Sequence, residues 1–229
     1  MSKVIAIVGF GPGISSAVAE KFGAEGFSVA LVARNQGRLE LGVRALQNRG
    51  IVAVAFPADA GDPTAIRAAI GKARAELGPI TIIHWNAISG TGVRELEAAD
   101  PAAVRSVFDV AVVGLLAAVQ ETLSDLKSTK DGAILVTNGA FGETTPTMDE
   151  FAINLKAVGV ALANAAKYKL VGLLAARLRA DGVYVGEVMV AGMIKGTPSD
   201  SGGGIDSSVV ANKFWELYQA RSEVRARVS

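Results

Sequence analysis

The sequence predicts an α/β fold, in which helices cover both faces of a parallel β-sheet. Strand-like and helix-like segments alternate along the whole chain. The strand-like segments are short apolar runs, which is typical of strands buried on both faces of a parallel sheet. No repeat or linker divides the 229 residues. We therefore expect residues 1–229 to form a single doubly wound domain.

The predicted strands are apolar and each ends close to a glycine, a proline or a polar residue. Pro57 stops the third strand, since proline cannot donate a ladder hydrogen bond. In chain order the predicted strands are residues 4–8, 28–33, 52–56, 80–85, 133–137 and 183–190.

Helices are predicted between these strands. In the second helix, Leu39, Val43 and Leu46 share one face, and Gly50 follows its end. The third helix opens with Pro63, which is tolerated in a first turn. In chain order the predicted helices are residues 15–22, 38–49, 63–77, 101–123, 149–180 and 209–218.

Composition and charge exclude several classes of function. The formal net charge of +1 gives no electrostatic footprint for nucleic acid, and we interpret Arg221, Arg225 and Arg227 as a solvated face. With no cysteine, disulfides and thiolate chemistry are excluded, and no metal site is predicted. The longest apolar run, residues 110–119, is too short to span a bilayer, and no signal peptide precedes the first strand. We expect a soluble, cytoplasmic protein.

A glycine-rich turn follows the first predicted strand. Gly9, Gly11 and Gly13 stand at alternate positions, and a helix begins at Ser15. The first N–H groups of that helix carry partial positive charge and favour a bound phosphate. Gly9 and Gly13 have no side chain, so a pyrophosphate can approach the backbone. Since a second strand follows within one βαβ unit, the turn indicates a Rossmann-type dinucleotide site.

Five motifs stand at strand ends in an order that resembles the short-chain dehydrogenase/reductase family. They are Gly9-x-x-x-Gly13-Ile14, Ala33-Arg34-Asn35, Ala58-Asp59-Ala60, Trp85-Asn86-Ala87 and Gly192-Met193-Ile194-Lys195-Gly196-Thr197. Each motif is weak by itself. Together they cover nearly the whole chain and are specific for the cofactor half of that family.

The resemblance implies how a dinucleotide is held. Asp59 would bond the adenine amino group, Asn86 would lie along the ribose, and Ile194 and Thr197 would contact the nicotinamide side. The implied cofactor-binding set is Gly9, Gly11, Gly13, Ile14, Ser15, Arg34, Asn35, Asp59, Ala60, Asn86, Ala87, Lys167, Gly192, Ile194 and Thr197.

Two residues depart from the cofactor pattern of the family. Ser15 stands where the family usually has its third glycine, and we expect its hydroxyl to fit near phosphate and donate a hydrogen bond. Ile88 replaces the glycine after Asn86-Ala87 and would add bulk near the cofactor.

The end of the second strand indicates which cofactor is bound. An acidic residue there usually meets the ribose of NAD(H), whereas this chain has Arg34. A guanidinium binds a phosphate bidentately and gains little from a bare hydroxyl. We therefore predict NADP(H) in preference to NAD(H). Arg34 also argues against a methyltransferase, whose second strand usually ends in an acid.

The catalytic pattern of the resembling family is incomplete. That family uses a tyrosine to exchange a proton with the substrate, a lysine four residues later, a serine and usually an asparagine. The serine position falls on Gly139 and the asparagine position on Ala111. Three registers stay open for the tyrosine and lysine positions, namely Ala163 with Lys167, Ala152 with Lys156, and Val160 with Asn164.

A divergent branch of the family favours the Lys167 register. It resembles this chain in Ala-Ala-Lys167-Tyr168-x-Leu170, and there too the serine and tyrosine are commonly absent. We take Lys167 and Asn138 as the candidate catalytic residues, the first to place the cofactor and the second to donate to a substrate oxygen. We interpret His84 as a core residue and Tyr168 as a packing residue.

The helix of residues 101–123 is apolar nearly all round, so more than one of its sides must be covered. In the resembling family such helices form an interface between subunits. We therefore predict a homodimer or homotetramer that uses this helix and the one with Lys167.

Three hypotheses on function follow. The first is an NADP(H)-dependent oxidoreductase that acts on an unidentified carbonyl or alcohol with a degenerate catalytic site. The second is a catalytically silent NADP(H)-binding sensor or assembly protein. The third, in which the cofactor is also lost, rests on Ser15 and Ile88. Residues 192–204 are expected to form a mobile substrate loop.

Overall fold

The computed structural model of the chain describes residues 3–197, 200 and 202–229. Seven strands form one sheet in the order β3-β2-β1-β4-β5-β6-β7, and every neighbouring pair is parallel. The strands are β1 Lys3–Val8, β2 Phe27–Ala33, β3 Ala53–Pro57, β4 Ile80–Trp85, β5 Ala133–Gly139, β6 Tyr184–Val190 and β7 Arg225–Val228. The predicted doubly wound, single-domain fold is thus confirmed.

Helices connect the strands and cover both faces of the sheet. Most of them begin where a side chain accepts a hydrogen bond from the first turn, as Asp62 does for α3 and Thr145 for α6. The helices are α1 Ile14–Ala24, α2 Gln36–Gln47, α3 Pro63–Leu77, α4 Pro101–Phe108, α5 Leu115–Lys127, α6 Pro146–Asn154, α7 Val158–Leu178 and α8 Ser207–Ala220.

Alternate residues of the strands β1 to β6 enter two separate cores. Trp85 and Val136 point to the face that also buries apolar residues of α3, α5 and α7. Ile82 and Leu135 point to the other face, which α1, α2 and α8 cover. The strands are buried on both sides, which explains why they appear as continuous apolar runs.

The helix predicted over residues 149–180 is in fact two helices. The chain leaves α6 at Leu155 and enters α7 at Val158, and between them Lys156 adopts a left-handed conformation with φ of +52°. Lys156 also forms an ion pair with Glu95. The sequence signal was weak because no glycine or proline marks this break.

The helix predicted over residues 101–123 extends to Lys127 and contains a π-helical segment, Asp109–Gly114, between α4 and α5. This segment packs tightly against the loop after β3, since a side chain at Gly114 would overlap the carbonyl oxygen of Ala60. A π-helical turn widens the helix locally.

The last strand, β7, was not predicted. It pairs in parallel with β6, and the arginines interpreted as a solvated face are engaged. Arg225 Nε donates to Glu187 Oε2 at 2.7 Å, Arg227 pairs with Glu143, and Arg221 Nη2 donates to the carbonyl oxygen of Gly132 at 3.0 Å. The strand is short and alternates charged with small residues, so its apolar signal is weak.

Two helical stretches, Pro101–Lys127 and Val158–Asp181, are long and apolar enough to cross a membrane by length and composition. The sequence expectation considered only the uninterrupted run of residues 110–119, so it underestimated the length of the apolar helical stretches. Both stretches contribute buried residues to the core on one face of the sheet.

Candidate functional site

The glycine turn lies in the crevice between β1 and β4, where the strand order reverses. Gly9 has φ of +85°, and a side chain there would overlap the backbone of Ala87. Asn86 Nδ2 donates to the carbonyl oxygen of Gly9 at 3.3 Å. Gly13 has φ of +94°, and an added Cβ would lie 3.5 Å from Ile194 Cγ2. The structure therefore brings these five residues together at the place where open α/β sheets bind ligands.

The N-terminus of α1 carries no side-chain cap. Its N-cap residue is Gly13, and no side chain accepts from the first turn, whereas Asn35 caps α2 and Asp206 caps α8. Uncapped first-turn N–H groups need an acceptor, and a phosphate supplies one. The backbone around Ile14 thus fits a pyrophosphate.

The hydroxyl of Ser15, which was expected to donate to a phosphate, is bonded within the turn. Its Oγ accepts from the N–H of Gly11 at 2.9 Å and donates to the carbonyl oxygen of Gly11 at 2.9 Å. Ser16 Oγ donates to the same carbonyl oxygen at 2.8 Å. Both hydroxyls fix the turn, and the N–H of Gly11 is used within the protein.

One guanidinium group stands beside the turn, and a second stands just past the end of β2. Arg34 is exposed, and its Nη1 lies 3.9 Å from Oδ2 of Asp59. Arg38 approaches the turn itself, since its Nη1 would lie 3.5 Å from a Cβ on Gly11. Asn35 accepts from the N–H of Arg38 at 2.8 Å, so its side chain is a helix cap. The sequence analysis missed Arg38, although it lies only four residues after Arg34, in the first turn of α2.

The adenine end of the predicted site contains Asp59 and Ala60. Asp59 Oδ1 accepts from the N–H of Gly61 at 2.9 Å. The carbonyl of Ala60 faces Gly114 in the π-helical segment. Ile88, which was expected to crowd the cofactor, is 67% exposed and lies clear of the core.

Residues after β6 approach the turn from the other side. Ile194 forms a β-bridge with Ile205, and Thr197 Oγ1 donates to the carbonyl oxygen of Ile194 at 2.7 Å. A Cβ on Gly192 would lie 3.0 Å from Ile205 Cδ1. The predicted mobile loop, residues 192–204, includes Pro198, Ser199 and Ser201, which lie outside the described residues.

Lys167 is buried on the face of α7 that meets β5. Its side chain is among the buried charged groups, and Nζ donates to the carbonyl oxygen of Thr137 at 3.1 Å. Burial lowers the pKa of Lys167 from 10.5 to about 8, and the charge of Glu187 acts in the opposite direction. By contrast, Lys156 stands at the exposed break between α6 and α7.

The serine, tyrosine and asparagine positions have other occupants. A Cβ on Gly139 would lie 2.5 Å from Asn164 Nδ2, so the carboxamide of Asn164 fills the space of a serine side chain. Ala163 and Ala111 are buried in one small apolar cluster. The remaining buried members of this cluster are Val93, Val107 and Val158.

Asn138 is buried and its amide nitrogen is occupied. Nδ2 donates to Glu187 Oε1 at 2.7 Å and to the carbonyl oxygen of Asn164 at 3.0 Å. Both N–H bonds are therefore used, and the expected donation from Asn138 to a substrate oxygen does not fit this geometry. Oδ1 of Asn138 is buried without a partner.

His84 lies in the core, as predicted. It is fully buried, Nε2 lies 3.0 Å from Thr137 Oγ1, and its ring packs edge-on against Phe214. Burial lowers the pKa of His84 to about 3, so the imidazole is neutral at physiological pH. Among the described residues, no group of three or more His, Cys, Asp or Glu could hold a metal ion.

Comparisons with known proteins agree with the fold and the turn. A family model described as short chain dehydrogenase matches residues 3–150. The chain is 36% identical over 135 residues to 2-(S)-hydroxypropyl-CoM dehydrogenase 3 of Xanthobacter autotrophicus, covering 58% of this chain and 52% of that protein. It is 38% identical over 81 residues to 2,3-dihydro-2,3-dihydroxybenzoate dehydrogenase of Bacillus subtilis, covering 35% of this chain and 31% of that protein. The chain thus spans about half or less of the curated relatives that it matches.

Solved structures are similar over the whole chain. L-sorbose reductase from Gluconobacter frateurii, in complex with NADPH and L-sorbose, superposes with a TM-score of 0.87 at 21% identity, covering 100% of this chain and 95% of that one. A short-chain dehydrogenase/reductase from Serratia marcescens gives 0.85 at 22% identity, covering 99% and 96%. At this level of identity the likeness shows the fold alone.

Proposed function

The chain belongs to the short-chain dehydrogenase family, and from this premise we propose that it is an oxidoreductase that binds NADP(H) and acts on a carbonyl or alcohol. The single observation that carries the proposal is the uncapped N-terminus of α1 after Gly9 and Gly13, with Arg38 against the turn. Free amides suit a pyrophosphate, and guanidinium groups suit a further phosphate.

The choice of NADP(H) rests on charge. Arg34 is exposed beyond the end of β2, and Arg38 lies over the turn, so two cations can meet the 2′-phosphate. The acidic residue near Arg34 is Asp59, whose Oδ2 lies 3.9 Å from Nη1 of Arg34, so the charge of Asp59 is opposed by that of the guanidinium. The NADPH in the similar L-sorbose reductase supports a cofactor of this class.

In this proposal the cofactor supplies hydride, and the chain supplies binding and orientation. Lys167 would hold the ribose, as the family resemblance implies. Its hydrogen bond to the carbonyl oxygen of Thr137 on β5 would orient its buried amine. The chain has no hydroxyl at the serine and tyrosine positions. A missing general acid typically costs about 10²–10⁴ in rate, so we expect slow turnover.

One observation favours the second candidate, a silent NADP(H)-binding protein. Asn164 fills the serine position, and Ala163 and Ala111 are packed in an apolar cluster. Protein atoms thus occupy the volume that catalytic groups would need. A hydride-transfer screen with NADPH over carbonyl compounds separates the two candidates, since only the oxidoreductase consumes the cofactor.

The cofactor assignment is tested with the variant Arg34→Ala. A charge-assisted hydrogen bond contributes about 1.5–3 kcal/mol, so we expect NADPH affinity to fall roughly ten- to a hundredfold in calorimetry, with NADH binding unchanged. Arg44→Ala, which removes an exposed arginine from α2, the helix that follows Arg34, is the matched control. Equal losses for NADPH and NADH, or no binding of either nucleotide to the wild type, would contradict the assignment.

A further inference from the structure

Glu187 places a carboxylate in the middle of β6, where its side chain is fully buried. A buried carboxylate without partners would cost several kcal/mol, so its contacts indicate what it does. In the sheet Glu187 stands beside Val136 and across from Arg225. The sequence analysis assigned it no role.

Two donors bind the two oxygens of this carboxylate. Arg225 Nε donates to Oε2 and Asn138 Nδ2 donates to Oε1, both at 2.7 Å. Arg225 reaches further, because its Nη2 donates to the carbonyl oxygen of Tyr168 at 2.6 Å and its Cζ lies 3.7 Å from the centre of the Tyr168 ring. The carboxylate is therefore fixed by β5 and β7, and the same arginine holds α7.

Lys167 lies within this arrangement. It precedes Tyr168 in α7, and its Nζ donates to the carbonyl oxygen of Thr137, the residue before Asn138. On β5, the acceptor of Lys167 is therefore next to Asn138, which binds Glu187. On α7, Lys167 itself is next to Tyr168, whose carbonyl oxygen accepts from Arg225, the other partner of Glu187. The two side chains also interact through their charges, which raises the pKa of Lys167 against the larger effect of burial.

We propose that Glu187 is the positioning residue of Lys167. Its carboxylate binds Asn138, the neighbour of Thr137 on β5, and Arg225, which binds α7 beside Lys167, so it fixes the two segments that set the place of the lysine. Its negative charge also favours the ammonium form of Lys167, which can bind the ribose hydroxyls of the cofactor. The proposal rests on the proposed function, because it assumes that Lys167 meets the cofactor.

The other groups around Lys167 cannot replace this carboxylate. Arg225 on β7 is itself a cation and disfavours a second one. His84 on β4 bonds the side chain of Thr137 and is neutral above its pKa of about 3. Tyr168 turns its ring to Arg225. Of the described residues, Glu187 is the one whose charge favours the ammonium of Lys167.

The test is the titration of Lys167 in the full chain. Lysine labelled with ¹³C at Cε is followed by NMR, and the Lys167 signal is assigned with Lys167→Arg. In Glu187→Gln we expect the titration midpoint to fall by about 1 pH unit, because a nearby opposite charge is lost. The pH above which NADPH affinity decreases, measured by calorimetry, should move down by the same amount.

Glu143→Gln is the matched control, since Glu143 pairs with Arg227 of the same strand and that pair lies at the surface. It should leave the Lys167 midpoint unchanged. If Glu187→Gln does not fold, Glu187→Asp withdraws the carboxylate by one methylene and should lower the midpoint by a smaller amount.

An unchanged midpoint in the folded Glu187 variants would overturn the proposal and leave the residue with a purely structural role. Failure of the proposed function is distinguishable from failure of this proposal. A wild type that binds no NADPH would contradict the proposed function, whereas the effect of Glu187 on the Lys167 titration is measured without the cofactor.

Discussion

At the scale of single residues, the charge of Lys167 is costly to bury in the candidate site. Its side chain is buried, and its pKa falls from 10.5 in the unfolded chain to about 8 in the fold. A shift of one pKa unit corresponds to ~1.4 kcal/mol. The charged form therefore destabilises the fold by on the order of 3 kcal/mol at pH 7. A residue that weakens the fold is consistent with a functional role.

Lys167→Met should accordingly raise the free energy of unfolding at pH 7. The folded pKa lies below the unfolded one, so the unfolded chain binds more protons between pH 8 and 10.5 and wild-type stability rises across that window. The advantage of the variant, measured by urea denaturation, should therefore shrink as pH rises from 7 to 10. A variant less stable than wild type at pH 7 would show that the ammonium stabilises the fold.

Lys169→Met is the control for this prediction. Lys169 is exposed on the same helix, two residues away. Surface substitutions usually change stability by less than about 0.5 kcal/mol, so this variant should follow the wild type at both pH values.

Residue-level prediction from the sequence depended on local motifs. Gly9, Asn86 and Ile194 could be placed in one crevice because each follows a strand of a parallel sheet. Glu187 and Arg225 could not be found in this way. Their contact joins β6 to β7, and no local sequence pattern predicts that these two strands pair. A single glutamate in an apolar run also does not indicate which residue it will bind.

At the scale of elements, the turn between β1 and α1 joins the first strand to the loop after β4. Gly9→Ala should damage this junction, because its φ is +85° and the new methyl would overlap the backbone of Ala87. Strain of this kind costs about 1–3 kcal/mol, and displacing backbone adds to it. We expect a lower midpoint in thermal unfolding and loss of the stabilisation that NADPH gives.

Gly11→Ala is the matched control within the same turn. Gly11 does not have positive φ, and its added methyl would meet only the side chain of Arg38, at 3.5 Å. Its melting temperature should stay close to that of the wild type. If both variants unfolded at the same temperature, the tight contact between Gly9 and Ala87 would not limit stability.

Elements with strong local signals were predicted well. Six of the seven strands were found, because buried parallel strands are continuous apolar runs. The break at Lys156 and the π-helical segment Asp109–Gly114 were missed. Both coincide with contacts between segments that are distant in sequence, namely an ion pair of Lys156 with Glu95 and the approach of Gly114 to Ala60.

At the scale of the whole molecule, the apolar helices leave part of their surface uncovered. Val113 in the π-helical segment is 42% exposed and Leu173 in α7 is 56% exposed. Both belong to the two long apolar stretches that pack on the sheet. We propose that a second copy of the chain covers this surface, as a homodimer or homotetramer, since apolar faces of this kind mark interfaces.

Val113→Asp and Leu173→Asp should therefore each convert the assembly to a monomer. A charge placed in an apolar interface is desolvated without a partner, and that cost exceeds what a small interface provides. Sedimentation in detergent-free buffer measures the mass directly. Leu41→Asp is the control, because Leu41 is 63% exposed on α2, outside these stretches, and should leave the mass unchanged. A wild type that sediments as a monomer at micromolar concentration would contradict the proposal, since nothing would then cover the exposed apolar surface of these two helices.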